Sequence, residues 1–208
     1  MVYSKLTSIE KDVLREIGNI GAGNAATSMS KLINKKVDMQ VPSVNIVTYD
    51  EMMDLIGGPE ELIVALFFQI KGEISGNVYF ILSTKEAEEL IRKVTNQSNF
   101  LLEDLHHNEW ALSALQETGN IVTGAYLSAL SDFTKLNMQP SIPFLSIDMA
   151  GALLTVGLLE ISQTSDYAMI IDTTIRSESD SGIQGHFFLL PDPSSLSTIF
   201  QGLGIADE

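Results

Sequence analysis

Cysteine is absent from the 208-residue sequence. Its absence excludes a disulfide framework, a thiolate zinc site, an iron–sulfur cluster and a cysteine nucleophile. The chain has three histidines, and the adjacent pair, His106 and His107, would point to different faces of a helix. Without a thiolate, or a glutamate at ligand spacing, we expect no metal site at this pair or at His186.

Basic residues are scarce. Lys and Arg number 12 against 27 Asp and Glu, which gives a formal net charge of −15 and an isoelectric point near 4.4. Nucleic-acid phosphates and anionic membrane surfaces repel such a chain, so the composition excludes nucleic acid as a partner and argues against a membrane surface. The acidic surface instead suits protein partners that carry basic patches.

Long apolar runs are also missing. The longest ones, such as residues 62–68, fall well below the roughly 18 residues of a membrane-spanning helix. Residues 1–9 lack the basic and apolar regions of a secretory signal, so we expect a cytoplasmic protein. With 45% hydrophobic residues the chain can form a packed core, and its length fits a single domain over residues 1–208.

Two long helices are predicted. Thr7 and Glu10 have the spacing of a capping box, and apolar residues at helical spacing follow, so we expect a helix over 8–33. Asn108 is a suitable N-cap for a second helix that ends near residue 133. Each glycine inside a helix costs up to about 1 kcal/mol relative to alanine. We therefore expect another backbone to lie close against the three glycines of the first helix, which are Gly18, Gly21 and Gly23.

The segments between and after these helices are mostly of strand type. An amphipathic helix over 84–94, with a capping box that starts at Thr84, and a short closing helix within 191–200 are the exceptions. Strands are predicted over seven segments, which are 37–49, 62–70, 74–82, 144–150, 153–161, 167–175 and 185–190.

The second half of the sequence repeats the first. A shift of 101 residues aligns Gly18 with Gly119 and Ser30 with Ser131, and residues 74–80 resemble residues 183–188 at a shift of 109. A period near 100 indicates a duplicated half-domain, with half-repeats at about 1–100 and 101–208. We expect an α+β fold in which two long helices pack near a pseudo-twofold axis on a mostly antiparallel sheet.

The repeat is strictest in its polar residues. The first copy reads Asp12-x3-Glu16-x2-Asn19-x22-Pro42, and the second reads Ser113-x3-Glu117-x2-Asn120-x22-Pro143. Positions i, i+4 and i+7 of a helix lie within roughly 60° of one another, so each helix presents a Glu–Asn stripe. The opposite face, predicted to meet the core, carries Val13, Ile17, Gly21 and Ser28.

One such stripe is ordinary for a solvated helix face. Two copies are harder to explain in this way, because the residues at surface positions change readily after a duplication and asparagine in the middle of a helix is a poor helix former. A repeated stripe on a solvent face therefore indicates that another molecule binds it.

The pattern [Asp/Ser]-x3-Glu-x2-Asn-x22-Pro, found twice, with LREIGNIGAGNAATSMSKL around its first copy, resembles the CheC/CheX/FliY family of bacterial chemotaxis phosphatases. The resemblance covers essentially the whole chain. CheX-type members are shorter and look like single-site proteins that dimerise. FliY-type members add a C-terminal flagellar-switch domain, for which we see no room after residue 183. The CheC type is the most similar in length and in having two intact motifs.

The resemblance implies hydrolysis of the aspartyl phosphate of the response regulator CheY. Asn19 and Asn120 would each enter the regulator's active site and orient the attacking water without adding charge beside the phosphate. Glu16 and Glu117, one turn earlier, would pair with a lysine of the regulator. No covalent intermediate with this chain is expected.

The supporting motif residues have smaller expected roles. Asp12 and Ser113 would add a polar contact or brace the helix, and Pro42 and Pro143 would shape the start of the strand behind each helix. The chain would need no cofactor of its own, because the magnesium ion would belong to the bound regulator.

The resemblance also allows other functions. Family members bind CheD, the receptor glutamine deamidase, so an adaptor or regulator of CheD with weak or secondary phosphatase activity is the alternative. A structural part of the flagellar switch would need the additional FliY-type domain. We expect a monomer, because the duplication supplies internally the symmetry that a CheX-type dimer obtains from two chains.

Two other motifs resemble known sites but lack the surroundings that those sites need. Residues 21–26 match the G-x-G-x-x-G/A dinucleotide fingerprint, which needs a preceding strand and a tight turn. Here the preceding residues are predicted to be helical, so the glycines are better explained by close helix packing. Ser113 lacks both a G-x-S-x-G elbow and a positioned histidine, which excludes it as a hydrolase nucleophile.

Overall fold

The structure is a computed structural model that describes residues 7–154, 167–177 and 182–204. Its helices are α1 (Ser8–Ile33), α2 (Tyr49–Leu55), α3 (Thr84–Thr95), α4 (Glu109–Thr134) and α5 (Pro193–Gly202), with a 3-10 helix at Leu102–His107. Its strands are β1 (Val37–Gln40), β2 (Val44–Thr48), β3 (Leu62–Gly72), β4 (Gly76–Ser83), β5 (Met138–Pro140), β6 (Phe144–Met149), β7 (Tyr167–Ser177) and β8 (Ile183–Pro191).

All of these strands belong to one antiparallel sheet. Its order is β1-β7-β8-β4-β3-β5, and β2 and β6 lie beside β7 and β3. The two halves of the chain meet where β4 pairs with β8, in a register that places Gly76 opposite Pro191 and Ile81 opposite His186. The predicted α+β fold with a mostly antiparallel sheet is confirmed.

The order of elements repeats as the sequence predicts. The first half runs α1-β1-β2-α2-β3-β4-α3, and the second runs α4-β5-β6, a helical stretch at 150–154, then β7-β8-α5. Ser30 and Ser131, which are equivalent in the repeat, each hydrogen-bond to the chain that follows their helix. The Ser30 hydroxyl accepts from the Val37 N–H at 2.9 Å, and the Ser131 hydroxyl donates to the Leu136 carbonyl at 2.5 Å. Each serine thus fastens the chain that leads from a long helix into its next strand.

The sheet has a hydrophobic layer on each face. The larger layer lies beneath the long helices and includes Phe68, Phe80 and Phe187, all at most 1% exposed. The smaller layer includes Met52 of α2, Phe188 of β8 and residues of the 150–154 stretch. No helix within the described ranges is long and apolar enough to cross a membrane.

Several predicted boundaries need correction. The single strand predicted over 37–49 is two strands, β1 and β2, separated by residues 41–43. Strand β2 ends at Thr48, whose hydroxyl forms a capping box with Glu51 and starts α2. Ser83, not Thr84, is the N-cap of α3, and it accepts from the Glu86 N–H at 3.2 Å. Residues 153 and 154 are helical rather than the start of a strand, and residues 155–161 of that predicted strand lie outside the described part.

The long helices approach each other closely at Gly21. A Cβ atom added there would lie 3.1 Å from the Cα atom of Tyr126 and 3.2 Å from the carbonyl oxygen of Ala125, both in α4. The Tyr126 ring in the same contact is held by its hydroxyl, 2.7 Å from that of Thr173. The expected backbone neighbour is therefore present at Gly21. The prediction is wrong at the other two glycines, because the neighbour of Gly18 is the Val41 side chain and a Cβ added at Gly23 meets no described residue within 4 Å outside its own stretch of helix.

Replacing Gly21 by alanine should lower the free energy of unfolding by about 1–3 kcal/mol, because the added methyl group has no space between the helices. Gly23 is a matched control in the same helix, because a Cβ added there meets no described residue within 4 Å apart from its own stretch of helix. Gly23→Ala should raise stability by up to about 1 kcal/mol through helix propensity. Urea denaturation measures both changes, and equal stabilities of the two variants would contradict the close helix contact.

Candidate functional site

The first polar stripe lies on the outer face of α1. The helix begins at the predicted capping box, in which the Thr7 hydroxyl accepts from the Glu10 N–H and the Glu10 carboxylate accepts from the Thr7 N–H. Leu14 and Ile17 are buried against the core. The three motif side chains of this helix, Asp12, Glu16 and Asn19, are all exposed.

The predicted core face of α1 holds only in part. Val13 is partly buried, and Ile17 and Gly21 are buried, as expected. Ser28 is exposed. The buried face turns along the helix, from Leu14 and Ile17 towards Ala26 and Met29. Ser28 lies on the side that this turn uncovers.

Asn19 is tied to the chain that follows β1. Its Oδ1 atom accepts a hydrogen bond from the backbone N–H of Val41 at 3.1 Å. Val41 is 4% exposed and directly precedes Pro42, which is exposed. The spacer of 22 residues between the motif's asparagine and proline therefore corresponds to a contact, since it brings the residue before the proline to the asparagine side chain.

Asp12 has a neighbour on its own helix. Its carboxylate lies 2.9 Å from the guanidinium of Arg15, and both side chains are more than half exposed. An exposed pair of this kind adds little stability. It does offset part of the negative charge at the start of the first stripe.

The second polar stripe occupies the corresponding face of α4. Asn108 caps this helix through a bond from the Ala111 N–H, as predicted. Ser113, Glu117 and Asn120 are exposed, and half-buried Pro143 directly precedes β6. Among the described residues the Asn120 amide has no hydrogen-bond partner, so the two asparagines share a position in the repeat and differ in how they are held.

The glycine-rich segment of α1 is not placed at a strand-to-helix turn. Residues 21–26 lie inside α1, with helix rather than a strand before them, so they lack the geometry of a dinucleotide site. Within the described residues, no group of three or more histidine, aspartate and glutamate side chains is placed to hold a metal ion.

A hydrogen-bonded group beside the first stripe was not predicted. Asp172 of β7 accepts from the Ser43 hydroxyl and lies 2.8 Å from the Nδ1 atom of His186 on β8. Partial burial alone would raise the pKa of Asp172, but the hydrogen bonds from His186 and Ser43 hold it below its ordinary value. The signal in the sequence is a charged residue directly after the apolar run at 168–171.

Comparison with solved structures defines the fold class. The chain superimposes on FliY of Thermotoga maritima with a TM-score of 0.75 and 19% identity, covering 98% of both chains. It superimposes on the FliM middle domain of H. pylori with a TM-score of 0.64 and 16% identity, covering 95% of this chain and 99% of that one. At these identities the likeness shows a shared fold.

Sequence comparison assigns the family. The model of the CheC-like family matches residues 9–46 and 111–147, and each match spans one copy of the Glu–Asn–Pro pattern. The chain is 39% identical to the Bacillus subtilis protein named CheY-P phosphatase CheC, over 98% of both sequences. The chain belongs to the CheC-like family.

Proposed function

We propose that this protein is a phosphatase that hydrolyses the aspartyl phosphate of the chemotaxis response regulator CheY. The observation that carries the proposal is the repeated, exposed Glu–Asn pair on α1 and α4 in a chain of the CheC-like family. The name of the 39% identical relative, a CheY-P phosphatase, supports the same substrate.

The chemistry needs little from the catalyst besides positioning. An aspartyl phosphate is an activated acyl phosphate, so water can attack phosphorus while the bond to the aspartyl oxygen breaks. The products are inorganic phosphate and the free carboxylate of the regulator. Asn19 and Asn120 each offer a neutral carboxamide that can hydrogen-bond this water without placing a charge beside the phosphoryl oxygens.

The glutamates provide the docking contact in this proposal. Glu16 precedes Asn19, and Glu117 precedes Asn120, by three residues, which is about 4.5 Å along the helix axis. A lysine of the regulator that pairs with the glutamate would fix the angle at which the asparagine enters. The regulator supplies the magnesium ion, and this chain contributes no cofactor.

Partners and setting follow from the same proposal. We place this chain in the cytoplasm, and we propose a monomer with one site on each long helix. CheD is a further proposed partner, and regulation of CheD remains the alternative function if catalysis is absent.

The double variant Asn19→Ala, Asn120→Ala should lose nearly all of its acceleration of CheY-P decay, because both water-orienting amides are removed. Loss of an oriented catalytic contact commonly reduces rates by about 100-fold or more. Each single variant should retain the activity of its intact site. Phosphate release from phosphorylated CheY measures all three rates.

Asn24→Ala supplies the control, because Asn24 is exposed on α1 and lies about 140° around the helix from Asn19. It should leave the rate unchanged. Full activity of the double variant would remove both asparagines from the mechanism. A wild-type chain that is inactive both alone and with CheD would leave the adaptor function in place of the phosphatase.

Glu117→Gln, made in the Asn19→Ala background so that only the second site acts, should raise KM by roughly 3- to 10-fold and change kcat by less than about 2-fold. The difference in KM between the variant and its parent should shrink as the salt concentration rises, because ions screen the Glu117–lysine pair in the parent protein. Glu103→Gln alters an exposed glutamate outside α4 and should leave KM unchanged. A fall in kcat at constant KM would contradict a docking role.

A further inference from the structure

Residues 41–43, which connect β1 to β2, form a strap between α1 and the sheet. One end is fastened to α1, where the Val41 N–H donates to Asn19 Oδ1 at 3.1 Å. The other end is fastened to β7, where the Asp172 N–H donates to the Ser43 carbonyl at 3.1 Å and the Ser43 hydroxyl donates to the Asp172 carboxylate. The strap therefore joins Asn19 to Asp172.

The carboxylate at the sheet end is itself fixed. His186 stands opposite Asp172 in the β7–β8 register, and its Nδ1 atom lies 2.8 Å from the second carboxylate oxygen. Both side chains are about three-quarters buried, so the contact is shielded from solvent on most sides. One carboxylate oxygen of Asp172 thus accepts from Ser43 of the strap, and the other contacts His186 on the neighbouring strand.

A second set of hydrogen bonds connects the Ser43 hydroxyl to α1. The Asn45 side-chain NH₂ group donates to the Ser43 hydroxyl oxygen at 3.4 Å, and the Lys11 ammonium of α1 donates to Asn45 Oδ1 at 3.2 Å. Helix α1 therefore contacts Asn45 through Lys11, and it contacts the strap through Asn19, two turns further along the helix. The path of the strap is set by α1 and β7 together.

The second site is built differently. Its corresponding connection, residues 141–143, is held to β3 through Ser141, whose hydroxyl accepts from the Gln69 N–H at 3.0 Å. Gln69 stands opposite Asn77, so neutral amides occupy the register places that Asp172 and His186 take in the other half. No hydrogen bond joins Asn120 to this connection within the described residues.

We propose that Ser43, together with the Asp172–His186 pair, positions the catalytic amide of Asn19 and has no such role at Asn120. The strap fixes the Val41 N–H, the N–H fixes Asn19 Oδ1, and the amide NH₂ group remains available to the docked regulator. This inference rests on the proposed phosphatase function. A fixed amide matters because a displacement of about 1 Å in a catalytic group can reduce a rate by about 100-fold.

Each site can be isolated by removing the other asparagine. With Asn120→Ala only the first site acts, and there Ser43→Ala should lower kcat by roughly 3- to 10-fold while KM stays within about 2-fold. With Asn19→Ala only the second site acts, and Ser43→Ala should leave both constants unchanged. Ser43→Thr keeps the hydroxyl and should restore kcat at the first site.

A readout that needs no activity accompanies the kinetics. Hydrogen exchange of the Val41 amide should speed up by roughly 10-fold in Ser43→Ala and return to the parent value in Ser43→Thr, because the strap opens more often without its anchor. Faster exchange in a chain that shows no phosphatase activity would overturn the proposed function and leave the role of the strap standing.

Three outcomes would overturn the positioning role. Unchanged exchange at Val41 would mean that the Ser43 hydroxyl does not hold the strap. An equal loss of kcat in both backgrounds would mean a general structural effect. A higher kcat at the first site would mean that the Val41 bond holds Asn19 back from the regulator.

Discussion

The close contact of α1 with α4 is the constraint on which the rest of the structure depends. Gly21 lets the backbone of α4 approach at Tyr126, and both helices turn their apolar faces to each other and to the sheet. The opposite face of each helix is then left to solvent, and it is there that the Glu–Asn pairs lie. The same packing that forms the core thus presents two rigid polar stripes, which suits a catalyst that works by positioning.

Duplication has copied the stripes more faithfully than their surroundings. Asn19 and Asn120 occupy equivalent places, and a serine near the end of each long helix bonds to the chain that follows the helix. The connection behind Asn19 is anchored to a carboxylate on β7, whereas the one behind Asn120 is anchored to the backbone of β3. The two stripes therefore share their residue types and differ in the hydrogen bonds made by their asparagines.

Local signals predicted much of this fold. The caps at Thr7 and Asn108 gave both long helices within about one residue, and the polar repeat identified both stripes. Helix α2 was missed although Thr48 and Glu51 form a capping box, because the apolar run before it continued the strand pattern. The contact of Asp172 with His186 depends on the register of β7 and β8, which no local pattern encodes. The sequence shows the Asn19–Val41 hydrogen bond only indirectly, through the repeated spacing of 22 residues between asparagine and proline.

The central claim is that a neutral amide at two equivalent positions orients the attacking water. The most direct test is the double variant Asn19→Asp, Asn120→Asp, which preserves shape and replaces each amide by a carboxylate. At neutral pH the account predicts that acceleration of CheY-P decay falls by about 100-fold or more, as for the alanine variants, because each carboxylate cannot donate a hydrogen bond and repels the phosphoryl oxygens. Retention of most of the parent rate by the aspartate variant would contradict the account.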